Sequence, residues 1–134
     1  MSYEVRTDLQ WNGNDVKVRG KNVVKKTAYE TGLIVQGQAE VLAPRKTGYL
    51  AGSITTASSS ASTDTRPSDD GRKAKGIEAP RDELEVYVGT SVEYAPVQEF
   101  LRQPYLRPAL DLAQGKAVAI GEKNGRMEFR EYLK

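Results

Sequence analysis

The sequence predicts an α+β domain: a small antiparallel sheet covered by a long amino-terminal helix and a carboxy-terminal helix, with a long mobile hairpin loop. Three observations carry this. A helical period runs from Asn14 or Asp15 to Leu42. Two short runs with a period of two, residues 53–57 and 83–89, bracket a polar stretch of Ser, Asp, Gly and Lys. A second helical stripe follows a segment that carries Pro96, Pro104 and Pro108.

In chain order, Tyr3, Val5, Thr7, Leu9 and Trp11 alternate with Glu4, Arg6, Asp8 and Gln10, the pattern of a half-buried strand. Asn12-Gly13 supplies a turn. Val24, Ala28, Thr31, Val35, Ala39 and Leu42 then recur in steps of three and four, with Ile34 beside them. Gly20, Gly32 and Gly37 each cost that helix about 1 kcal/mol against alanine, so kinks, fraying or a close-packed neighbour are expected there. Ala43-Pro44 ends it.

Residues 43–54, APRKTGYLAGSI, form a compact motif in which Thr47 is placed to cap a short turn holding Tyr49 and Leu50, and Ile54 opens a strand. Residues 58–82 hold little to bury, which predicts a loop that is mobile in the isolated chain. Its bases Arg66, Arg72, Lys73, Lys75 and Arg81 are matched by Asp64, Asp69, Asp70, Glu78 and Asp82, the mark of a solvated loop rather than a nucleic-acid arm. Leu84, Val86 and Val88 then point inward, with Glu85 and Tyr87 outward.

Residues 88–110, VGTSVEYAPVQEFLRQPYLRPAL, are too rich in proline for one continuous element and read as a packed corner. Pro96 opens a short helical turn and Pro108 the last helix, which runs to about Glu122 with Leu106, Leu110, Ala113, Ala117 and Ile120 on one stripe. Tyr94, Phe100, Tyr105 and Leu106 are expected to pack that helix against the sheet. Asn124-Gly125 predicts a turn, and Met127 and Phe129 alternate with Glu128 and Arg130 as a last strand.

With no histidine and no cysteine, His-dependent triads, thiolate nucleophiles and the usual zinc sites are excluded. At 134 residues the chain is expected to be a single, soluble, intracellular domain, with no membrane span or signal peptide. A net charge of +2 does not indicate a strongly basic nucleic-acid binder. Glu93 and Glu99 read as surface charges or partners of Arg102 and Arg107, and no acidic pair has a catalytic spacing, so no enzyme and no cofactor is expected. Lys17, Arg19, Lys21, Lys25 and Lys26 gather near the start of the long helix, where its dipole disfavours cations. They read as a solvated face, or as one turned toward DNA or an acidic neighbour. Together with Trp11 and Tyr3 they support an alternative reading as a small nucleic-acid-binding module.

The two compact motifs together resemble a family. APRKTGYLAGSI is similar to the "aP…TG.L..SI" box, and VGTSVEYAPVQEF with QPYLRPAL to the "YA..vEf…QPFLrPAl" box, of tailed-phage neck or tail-completion (head–tail joining) proteins. Their order, the preceding helix and the span over residues 16–110 fit. One departure is that Phe100 runs through Leu101-Arg102 straight into Gln103-Pro104, where family members usually carry Gly-Thr and a longer insertion. The resemblance implies a non-enzymatic ring subunit of the virion connector, assembled in the host cytoplasm with copies of itself and with neighbouring connector and tail proteins. It also implies that DNA passes through the ring without sequence recognition. It further implies packing or subunit contact at Thr47, Gly48, Leu50 and Ile54 of the first box. In the second box the matching positions are Tyr94, Ala95, Pro96, Glu99, Phe100, Pro104, Tyr105, Leu106 and Pro108. Lys17, Arg19, Lys21, Lys25 and Lys26 are then the candidates to face the channel.

Overall fold

A computed structural model describes residues 13–44 and 48–130. The strand expected over residues 3–11, the Thr47 cap and the side chain of Phe100 lie outside what is described. The elements are α1 (Gly13–Leu42), α2 (Tyr49–Ser53), β1 (Thr55–Ser58), β2 (Val86–Gly89), α3 (Ala95–Val97), a π turn (Gln98–Arg102) and α4 (Leu106–Glu128). The expected class holds: α1 and α4 pack against a two-stranded antiparallel sheet.

The helix pair is antiparallel and tied along its length. Near the start of α1, the Arg19 guanidinium donates to the Glu128 carbonyl at 2.9 Å. Further along, Asn124 Nδ2 donates to Thr27 Oγ1 at 3.1 Å and to Glu30 Oε2 at 3.4 Å. At the far end, Gln103 Nε2 donates to the Leu42 carbonyl at 2.8 Å. These ties explain why the expected turn at Asn124-Gly125 and the strand at Met127 and Phe129 do not form. Asn124 is buried, and its amide finds its partners on α1 only if α4 continues through it. The helix also starts earlier than expected, at Leu106, which puts Pro108 third. A missing N–H is still harmless in the first turn.

The hairpin sits on α1 at Gly32. Register pairs Thr55 with Gly89, Thr56 with Val88, Ala57 with Tyr87 and Ser58 with Val86. Thr56 Oγ1 donates to the Gly32 carbonyl at 3.2 Å and to Gln36 Oε1 at 2.8 Å. A methyl group on Gly32 would lie 2.8 Å from Thr56 Cγ2 and 3.0 Å from Val86 Cγ1. α1 itself passes through Gly20, Gly32 and Gly37 without a break. Val24, expected in the buried stripe, is 47% exposed, because neither the sheet nor α4 covers that position.

The stretch between the strands buries more than its composition suggested. Thr65, Ser68 and Ala74 are buried. Arg66 N–H donates to the Gly52 carbonyl at 2.7 Å, where a Cβ on Gly52 would meet the Arg66 carbonyl oxygen at 2.6 Å. Thr65 Oγ1 donates to the Ala74 carbonyl at 2.6 Å, and the Arg72 guanidinium lies 4.7 Å from the Tyr49 ring centroid. Backbone groups and small hydroxyls make this dock, so a scan for large apolar residues does not detect it.

The Gly32 seat yields a paired test. Gly32→Ala should destabilise the fold by about 1–3 kcal/mol through overpacking, despite alanine's better helix propensity. A Cβ on Gly20 or Gly37 meets nothing within 4 Å among the described residues, so alanine there should stabilise by up to about 1 kcal/mol. Urea melts of the three variants check the opposite signs.

Candidate interaction site

The proline-rich corner is built around one carboxylate. Pro96 opens α3 in its first turn. The chain then widens into the π turn, closed by Gln103 N–H donating five residues back to the Gln98 carbonyl at 2.8 Å. That single wide turn spans the shortened link between Phe100 and Gln103. It also carries Glu99 beneath the start of α4. Glu99 Oε2 accepts from the Tyr105 and Leu106 N–H groups at 2.7 and 2.9 Å, and Oε1 from the Arg107 N–H at 2.9 Å. Three donors at a helix start are thus satisfied by a negative group at the positive end of the dipole. Burial pushes the Glu99 pKa up, but the three N–H donors and the Arg107 guanidinium outweigh it and hold the carboxyl below its ordinary value. Glu99 is therefore a helix cap rather than a loose surface charge.

The two motif boxes meet in one core. Leu50 and Ile54 from the first join Ala95, Tyr105 and Ala109 from the second, with Leu106 partly buried at the edge. Tyr105 is fully buried, and burial pushes its hydroxyl pKa up to about 12. Gly48, at the cap position of α2, has φ 78°, a left-handed conformation that favours glycine. Tyr94, expected in the packing, is instead 44% exposed, because α3 turns its ring outward while the buried Ala95 faces the core. Pro96, Pro104 and Pro108 are also exposed.

The basic face is partly neutralised. Lys21 and Lys25 both contact Glu83, at 3.2 and 3.1 Å, and hold its carboxyl below the ordinary value, Lys25 foremost. Arg19 pairs with Asp15 at 3.1 Å, while Lys17 and Lys26 are exposed. Among the described residues no cluster of three acidic side chains is placed to hold a metal. No described helix is long and apolar enough to cross a membrane.

One surface feature lay outside the sequence expectations. An open groove of about 870 Å³ runs between β2 and α4, with α1 as its floor. Val23, Val24, Ala28 and Val35 of α1 line it, with Val86 and Val88 of β2 and Leu106 and Leu110 of α4. Val24 and Leu110 remain 47% and 46% exposed. The adjacent pair Val23-Val24 was the available signal, because it broadens the apolar stripe beyond what one packed helix covers. Comparison with known protein families, with curated proteins and with solved structures returned no match.

The Glu99 cap predicts a pH-dependent loss. Glu99→Ala should cost about 1–2 kcal/mol at pH 7. Because the folded pKa is depressed, the contribution is present above the ordinary value of about 4.3 and lost as pH falls through the folded value. The gap between variant and wild type in urea melts should therefore narrow below about pH 4. An equal gap at pH 7 and pH 3 would assign the residue a purely steric role.

Proposed function

We propose that the chain is a structural subunit of the ring that joins the DNA-filled head of a long-tailed phage to its tail. It binds copies of itself and the neighbouring connector and tail proteins, and carries out no reaction. The observation that carries this reading is the open apolar groove between β2 and α4. A contiguous apolar surface left open on a small chain marks a protein-contact site, and a ring subunit needs such a surface for its neighbour. The paired motif boxes support the same reading, because both contribute to the core beside the groove. The nucleic-acid module draws less support, since Lys21, Lys25 and Arg19 are already paired with carboxylates.

An amber mutation in the gene tests this through electron microscopy of the lysate. Heads and tails should accumulate unjoined, or heads should lose their DNA, and wild-type protein supplied in trans should restore joining. Leu110→Asp, which places a charge on an exposed groove wall, should not. Infectious, fully joined particles made without the protein would reject the connector reading.

A further inference from the structure

The groove is bounded on one side by a strand edge that has no backbone partner among the described residues. Thr56 turns both its backbone groups away from β2: its N–H donates to Thr63 Oγ1 and its carbonyl accepts from the Thr63 N–H, each at 2.9 Å. Its register partner Val88, and Val86 two residues before, must then direct their N–H and C=O groups to the outer edge of β2. Among the described residues no backbone group pairs with them. The same two valines face α1 and line the groove. The open groove, the edge beside it that is unpaired among the described residues, and the apolar floor beneath together offer a place for one further strand.

We infer that this slot takes residues 3–11 of a second copy of the chain, added alongside β2. This inference rests on the ring reading and names the contact by which its copies join. The occupant is argued from pattern and reach. Tyr3, Val5, Leu9 and Trp11 fall on one side of an alternating run, which suits a slot that is apolar beneath and open above. The floor from Val23 to Val35 is about 18 Å long, the length of five or six extended residues. Within one chain, the segment would have to run back about 15 Å along α1, from Gly13 to Val23, before entering. About five residues would be used on the way, leaving Leu9 and Trp11 outside. From a neighbour the whole run enters, and each subunit gives a strand to the next, a heterologous contact that closes by rotation.

The chain has no cysteine, so disulfide trapping is clean. A strand beside β2 with Val5 facing α1 puts Arg6 on the outer face with Tyr87, and neighbouring Cβ atoms there lie about 4.5–5.5 Å apart. Full-length Arg6→Cys and Tyr87→Cys chains are mixed and oxidised, with Glu4→Cys and Asp8→Cys run in parallel to cover a shifted register. Mixed disulfide dimers should form on the order of tenfold more than between Arg6→Cys and Lys116→Cys, a control on the exposed face of α4. No excess over the control at any of the three positions overturns the inference. So does an Arg6→Cys/Tyr87→Cys double variant that closes within one chain. Sedimentation of the wild-type chain separates the two levels. An oligomer without the trapped pair rejects the strand and leaves the ring standing, whereas a chain that stays monomeric at every concentration rejects both.

Discussion

Close approach of backbones through small residues is the constraint on which this structure depends. Among the described residues, eight of the thirteen buried apolar side chains are alanines. Large side chains cannot fill such a core, so the elements themselves must move together until the alanines touch. Gly32 lets the hairpin rest on α1, and Gly52 lets the long connection rest on α2. Ala39, Ala109 and Ala113, all with no exposed surface, belong to the same core as α1 and α4 come together. Tyr105 is the main exception, one large ring set into a site otherwise made of small groups.

That economy has a consequence on the surface. With alanines forming the interior, several valines and leucines of α1, β2 and α4 are left to line a groove instead of filling a core. Polar interactions then fix the frame around it. Glu99 anchors the start of α4, while Asn124 and Arg19 hold its far half to α1. The groove is therefore flanked on one side by a helix tied at both its start and its far half.

The elements with strong periodicity were legible in the sequence. The span of α1, its stop before Pro44 and the strand through Val86 and Val88 all appear where periodicity and proline chemistry put them. The antiparallel pairing followed as well, since two short strands joined by a long polar stretch have few other arrangements. What failed was the reading of local signals against long-range ones. Asn124-Gly125 is a turn signal by propensity, but a buried amide bonded to Thr27 outweighs about 1 kcal/mol of local preference at the glycine. Glu99 read as a surface charge or a partner of Arg102 and Arg107; the Arg107 charge does act on it, but no sequence rule links a carboxylate to N–H groups six to eight residues ahead across a π turn. The docking of the long connection stayed hidden because backbone carbonyls and hydroxyls make it.

By itself the sequence determined the class, the two long helices, the hairpin and the broken path of the corner, because these follow from side-chain period and from proline's fixed φ. It also determined which chemistries are closed to the chain, since a protein without histidine or cysteine cannot build sites that need them. Only the tertiary structure decided which apolar residues are core and which are groove. Periodicity reports that a face is apolar, whereas burial depends on whether another element covers it, and Val24 and Leu110 stay about half exposed among the described elements. The outer edge of β2 was settled in the same way: strand alternation fixes where side chains point, but only the pairing of Thr56 with Thr63 fixes which backbone groups are left without a partner.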